Sequence, residues 1–91
     1  MNKQDIVGAV AAEVGVSRDT AASLIDAFLG HVTGALVRGE EVRLTGFGNF
    51  VVAERKASTG RNPRTGEPMD LPASRMPKFR VGRTLKEACN R

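Results

Sequence analysis

The sequence predicts an α+β fold: a helical base of two N-terminal helices, a three-stranded antiparallel sheet with a long protruding β-hairpin arm, and a short C-terminal helix. Three features predict it. Apolar residues recur at helical spacing through the first forty positions. Strand-like alternation begins only after them. Between two strand-like runs lies a stretch, 54–78, that holds all four prolines, six basic residues and three acidic ones, but no Val, Ile or Phe. Helices and strands kept in separate runs mark α+β rather than alternating α/β.

Asn2 is placed to cap a helix starting at Lys3, with Asp5 in the first turn, where negative charge suits the helix N-terminus. Ile6, Val10 and Val14 recur every four residues, Val7 and Ala11 widen the stripe, and Gly15 stops it. Ser17 caps a second helix whose broad apolar face runs Ala21, Leu24, Ile25, Phe28, Leu29, Val32, Ala35, Leu36, with Gly39 ending it. At about 21 residues it is ~31 Å long and outreaches the core that one such chain builds. A second copy of the chain accounts for the surplus face. Gly30 and Gly34, four apart, allow close helix packing, and His31 reads as an ordinary helix-surface residue.

Val42 and Leu44 alternate with charged neighbours as a short strand, and Thr45-Gly46 turns the chain. Phe47 to Arg55 forms a longer strand, with Phe50 and Val52 on one face. Gly46-Phe47-Gly48 lacks the third glycine and the following helix of a dinucleotide loop, so it reads as a tight turn. The stretch 54–78 cannot bury enough surface to join a core. As a continuous hairpin it is an arm turning near Gly60 to Gly66, at the turn dipeptides Asn62-Pro63 and Thr65-Gly66. Pro68 and Pro72, four apart, would place their missing N–H groups on one solvent-facing edge. Each limb of about nine residues extends ~30 Å, against a radius of gyration of ~12 Å for a chain of this length. The arm must therefore project. Lys78 to Val81 returns as a strand with Phe79 inward, Gly82 breaks it, and Thr84 to Asn90 closes the chain as a helix on which Leu85 and Cys89 pack. The chain thus divides into a helical dimerisation base (1–40), a sheet body with its helix (41–53 and 77–91) and an arm (54–76).

Charge is unevenly placed. Residues 1–50 hold four basic and six acidic residues, whereas 51–91 hold ten basic and four acidic ones. A body near neutrality joined to a basic half suits a phosphate-bearing partner. Four phenylalanines, with no Trp or Tyr, argue against stacking bases on aromatic platforms. One Cys and one His supply neither a disulfide nor a zinc site. No stretch reads as a membrane span, Asp26 and His31 excluding the second helix, and Asp5 interrupts any signal-peptide pattern. A soluble cytoplasmic protein with no metal, cofactor or small-molecule substrate is the expectation. No P-loop, metal cluster or nucleophile–base pair points to an enzyme.

These residues resemble the bacterial histone-like HU and integration host factor family over essentially the whole chain. The resemblance rests on Gly46-Phe47-Gly48-Asn49-Phe50, Gly60-Arg61-Asn62-Pro63, Thr65-Gly66-Glu67, Pro72-Ala73-Ser74 and the spacing of Pro77, Phe79 and Gly82. Pro72-Ala73-Ser74 favours the HU branch. The resemblance implies an intertwined dimer, as a homodimer or as a heterodimer with a paralogue, located on the nucleoid. It further implies two arms that embrace double-stranded DNA in the minor groove, with Pro63 inserted between base pairs. Arg61, Asn62 and Arg64 then flank the wedge, Arg55 and Lys56 line the arm base, and Met69 and Leu71 lie against sugar edges or pack across the arm. Lys3, Ser74, Arg75, Lys78, Arg80, Arg83 and Lys86 complete the implied DNA surface. The chain departs from the family pattern at Ala53 and at Ala57-Ser58-Thr59, where many relatives carry basic residues, and Asp70 adds a negative charge within the arm. These departures imply an affinity lower than the family pattern, or one that relies more on the body contacts.

Three functions remain open on the sequence alone. The first is architectural binding and bending of DNA, reading deformability rather than bases and favouring bent, nicked or flexible duplex. The second is site-specific bending of the integration host factor kind. The third is a protein–protein module whose arm docks an acidic partner.

Overall fold

The computed structural model describes all 91 residues, Met1–Arg91. In chain order they form α1 (Lys3–Val14), α2 (Arg18–Val37), β1 (Val42–Leu44), β2 (Gly48–Arg55), β3 (Ser58–Arg61), β4 (Pro68–Leu71), β5 (Ser74–Val81) and α3 (Arg83–Cys89). This is the α+β arrangement that the sequence predicts. The chain divides into two compact units, Met1–Gly34 and Ala35–Arg91, so α2 belongs to both.

In the first unit, the Asn2 side chain accepts the Asp5 N–H at 2.9 Å while the Asp5 carboxylate accepts the Asn2 N–H at 3.0 Å. This reciprocal box satisfies two donors that the helix itself cannot. Gly15 ends α1 in the left-handed region at φ 80°, a conformation that costs a side-chain-bearing residue more than glycine. Ser17 Oγ accepts the Thr20 N–H at 3.1 Å and starts α2. Val7, Ala11 and Ala21 form the buried core, with Val10, Val16, Ala22 and Ile25 packed around it. Small residues at Ala11 and Ala21 let the two helices approach closely. Arg18 reaches back to donate to the Gln4 carbonyl at 3.3 Å, its guanidinium lying over Gly8.

The apolar face of α2 is only partly covered. Ala21, Val32 and Ala35 are buried, but Leu24, Phe28 and Leu29 stand about half exposed. By length and composition alone α2 is long and apolar enough to cross a membrane. That corrects the expectation that no stretch approaches a span. The resemblance arises because a helix apolar over so wide an arc has the same composition as a lipid-facing one. The middle of α2 nonetheless carries Asp26, which is ion-paired to Lys3.

In the second unit, α2 ends at Gly39 (φ 79°), whose N–H meets the Leu36 carbonyl at 3.0 Å, while the Glu40 N–H meets that of Ala35 at 2.8 Å. This pair of bonds is a Schellman motif. The three-stranded antiparallel sheet has the order β1-β2-β5, with Val42 opposite Phe50 and Phe50 opposite Phe79. Phe79 lies 4.9 Å from Phe50 and 5.5 Å from Phe47, centroid to centroid, forming an aromatic cluster on one face. Gly46 (φ 83°) makes the β1–β2 turn, and Gly82 sits so close to the Phe47 carbonyl that no Cβ fits between them.

Several boundaries differ from expectation for physical reasons. Phe47 belongs to the turn, its N–H bonded to the Leu44 carbonyl at 2.9 Å, and β2 starts at Gly48. Strand β5 begins at Ser74 rather than Lys78, because Pro77 opposite Val52 lies on the edge of the sheet and need donate to no further strand. The arm is not one continuous ladder: β3 and β4 form their own two-stranded sheet. Pro72 lies outside both strands, so the expected shared proline edge reduces to Pro68 in β4. Helix α3 starts one residue early, at Arg83, and Cys89 is exposed rather than packed.

Gly48 is buried opposite Val81, and an added Cβ would collide with the Phe79 ring and sit 2.6 Å from the Arg80 carbonyl. Gly48→Ala should destabilise the protein by about 1–3 kcal/mol, as overpacking does. Thermal denaturation followed by circular dichroism would show it; an unchanged midpoint would mean that the aromatic cluster yields freely.

Candidate nucleic-acid interface

Side chains alternate across a strand, and cross-strand partners share a face. The β2–β5 register therefore sorts the residues. Phe50, Val52 and Phe79 lie on one face; Val51, Ala53, Arg55, Ser74, Met76, Lys78 and Arg80 lie on the other. The first face is apolar over Phe50, Val52 and Phe79 and carries the charged pair of positions Glu54 and Arg75 at its arm end; the second carries three cations. Pairing lapses at Lys56-Ala57 on one limb and Pro72-Ala73 on the other, two residues each, and resumes at Ser58 opposite Leu71 without slip. Beyond the lapse, Thr59, Arg61, Pro68 and Asp70 share one face, and Ser58, Gly60, Met69 and Leu71 the other. Leu71 leans over Gly60, its Cδ1 3.0 Å from where a Cβ would be, which is cross-strand packing; Met69 remains 42% exposed.

The tip is closed by its own hydrogen bonds. The Asn62 N–H donates to the Glu67 carbonyl at 2.9 Å, and the Gly66 N–H to the Asn62 carbonyl at 2.7 Å. Asn62 Oδ1 accepts the Arg64 N–H at 2.8 Å, spanning Pro63, and Arg61 Nη1 donates to the Gly66 carbonyl at 3.0 Å. Gly66 takes φ 72° to let the chain reverse. Pro63 has no N–H to satisfy and stands exposed as the first residue of the turn that Asn62 and Glu67 close. Asn62 thus acts as the brace of the turn, a role carried by the Asx-turn habit of the residue.

The cations divide sharply between the two halves of the sequence. In residues 1–50, Lys3, Arg38 and Arg43 are ion-paired to Asp26, Glu40 and Glu41. Among the ten basic residues beyond, only Arg83 is so engaged, with Glu87 at 2.9 Å. Arg55, Lys56, Arg61, Arg64, Lys78, Arg80 and Lys86 are exposed with no carboxylate partner. The structure brings Arg61, Asn62, Pro63 and Arg64 together at the tip, Arg55, Ser74, Lys78 and Arg80 on one sheet face, and Arg83 with Lys86 on α3. Lys3 lies in the other unit. Arg75 is placed differently from the rest: it lies on the face of Phe79, opposite Glu54, and its guanidinium donates to the Leu36 and Val37 carbonyls at 3.1 Å each. Nothing in the local sequence around Arg75 signals a contact with a helix some forty positions earlier.

The family model described as bacterial DNA-binding protein matches residues 1–90. The chain belongs to the HU family of bacterial DNA-binding proteins. The DNA-binding protein HRm of Rhizobium meliloti is 49% identical over 90 residues, spanning 99% of this chain and all of that one. The DNA-binding protein HU of Geobacillus stearothermophilus is 49% identical over 88 residues, spanning 97% and 98%. Among solved structures, HU of Anabaena in a cocrystal with DNA matches with a TM-score of 0.89 at 42% identity, covering 98% of this chain and 97% of that one. HU from Thermotoga maritima matches with a TM-score of 0.69 at 28% identity. DNA binding of an architectural kind is the property of the HU family, and the family is not one of enzymes.

Proposed function

We propose that the chain acts as a homodimer on the bacterial nucleoid, in the cytoplasm, binding double-stranded DNA without strong base preference and bending it through arms laid in the minor groove. The observation that carries the reading is the tip: an exposed proline braced by four hydrogen bonds and flanked by Arg61 and Arg64, neither of which has a carboxylate partner. A two-stranded ribbon is wider than the ~6 Å minor groove, so the groove has to open. An apolar ring driven into a base step holds it open at a cost of a few kcal/mol, offset by the protein surface the bent duplex then meets. Pro63 has the shape for this, and its turn is already closed before DNA arrives. The narrow groove's negative potential suits Arg61 and Arg64. Arg55, Lys56, Ser74, Lys78, Arg80, Arg83 and Lys86, with Lys3, serve the flanking phosphates. Such contacts fix position rather than sequence, and relatives named HU favour this reading over site-specific bending. Met69 is free to touch sugar edges, whereas Leu71 chiefly packs the ribbon.

The dimer follows from the half-exposed Leu24, Phe28 and Leu29 of α2 together with Phe47 and Phe79, which the single chain leaves open. Sedimentation at micromolar concentration should give about twice 9.7 kDa, and Leu29→Asp should abolish folding, since the interface would bury an unpaired charge. A folded monomer would remove the dimer.

Affinity should fall by roughly 10³–10⁵ between 50 and 200 mM salt if the dimer neutralises about 6–10 phosphates. Binding titrations on a random duplex test this, and a flat salt dependence would refute phosphate-dominated binding.

Pro63→Ala should leave the body folded and lower affinity for intact linear duplex only moderately, because the phosphate contacts persist. Bending should suffer more, as should the preference for nicked DNA, where unstacking costs less. Fluorescence transfer between the ends of a saturated short duplex reads the bend. An unchanged bend would leave Pro63 a turn former only.

A further inference from the structure

We propose that Arg75 is a positioning residue rather than a DNA contact: it clasps the foot of the arm to the C-terminal end of α2 and so sets the direction in which the arm leaves the body. The consequence for bending rests on the function proposed above; the clasp itself does not.

The last turn of α2 leaves carbonyls without helical partners. The Schellman bonds satisfy Ala35 and use one lone pair of Leu36. Val37 remains, together with the second lone pair of Leu36. The two terminal nitrogens of Arg75 fill those vacancies, Nη1 on Val37 and Nη2 on Leu36. No basic residue lies in the last turn of α2 itself, so the cation that favours a helix C-terminus arrives from a strand 38 positions away. The planar fork of arginine can meet two carbonyls at once, which a point-like ammonium does not reproduce. Gly39 lies beside the same contact, a Cβ there meeting Nη2 at an ordinary 3.5 Å, and is required instead by its φ of 79°.

The place of the clasp gives it leverage. Arg75 pairs with Glu54, one pair short of the last β2–β5 pair, Arg55–Ser74. Immediately beyond, pairing lapses at Lys56-Ala57 and Pro72-Ala73. The clasp therefore holds the limb just before the ribbon loses its lateral bonds. Arg75 also makes no ion pair with Glu54, its partner directly across the ladder. Its orientation is set by the helix end and not by charge pairing within the ribbon.

The test compares Arg75→Lys and Arg75→Gln with the unaltered protein. In the free protein, amide exchange at the Glu54–Arg75 and Arg55–Ser74 pairs should quicken by ~10-fold or more in both variants, with the Val7–Ala11–Ala21 core unchanged. On DNA, both should keep the salt dependence of affinity but shift the end-to-end fluorescence transfer of a saturated duplex. A phosphate contact behaves otherwise: Arg75→Gln would lower the salt slope by about one per arm and Arg75→Lys would restore it. That result, or unchanged exchange in both variants, overturns the proposal. If the unaltered protein binds DNA without bending it, the bending function fails, and the exchange measurement still decides the clasp.

Discussion

Most of the surface proposed above for DNA depends on one register. From Gly48 opposite Val81 to Arg61 opposite Pro68, the two limbs of the ribbon stay in step, although the ladder is interrupted between Arg55–Ser74 and Ser58–Leu71. A slip of one residue would turn every side chain to the opposite face. Phe50 and Phe79 would then leave their cluster, and Arg55, Lys78 and Arg80 would turn toward it. The register is held at the base by that aromatic cluster and by Gly48, whose missing Cβ leaves the room that the Phe79 ring occupies. At the far end it is held by the tip, where Asn62 and Glu67 close the turn. The placement of Pro63 in the tip turn follows from these two fixed ends.

Around this ribbon the chain handles its charges in two ways. The first fifty residues neutralise three of their four cations in ion pairs and turn the fourth, Arg18, onto a backbone carbonyl. The later residues leave nearly all theirs exposed. Exposed surface pairs are worth little to stability, so the difference matters chiefly to the partner. Unpaired cations keep their full attraction for phosphate, whereas paired ones must first release a carboxylate. Lys3 and Arg83 belong to the second kind, so in the proposed DNA surface each would give up an ion pair to meet a phosphate.

Much of this was legible in the sequence. Asn2, Gly15, Ser17 and Gly39 announce helix ends because capping is local chemistry, and the structure uses all four. Asn62-Pro63 and Thr65-Gly66 announce the tip for the same reason. What could not be read were the outcomes settled by distant residues. Pro77 looks like a strand breaker until β5 is seen to be an edge strand. Pro72 looks like a strand residue until the ladder is seen to lapse there. Arg75 looks like its basic neighbours, since one residue's place in a list of cations says nothing about which helix end lies within its reach. Cys89 sits four residues after Leu85 on paper, yet α3 is too short for its last turn to be covered in the single chain.

The lapse in the ladder also divides the ribbon mechanically. A four-pair hairpin with no third strand is only marginally stable by itself, and its bonds open far more readily than those of the three-stranded sheet. Because no lateral bonds span Lys56-Ala57 and Pro72-Ala73, unzipping that starts at the tip meets a natural stopping point. In the function proposed above, tension applied to the arm by a recoiling duplex would be spent on β3 and β4 before it reached the aromatic cluster. A hairpin so separated would open and reclose without unfolding the three-stranded sheet, much as a fuse protects the circuit behind it.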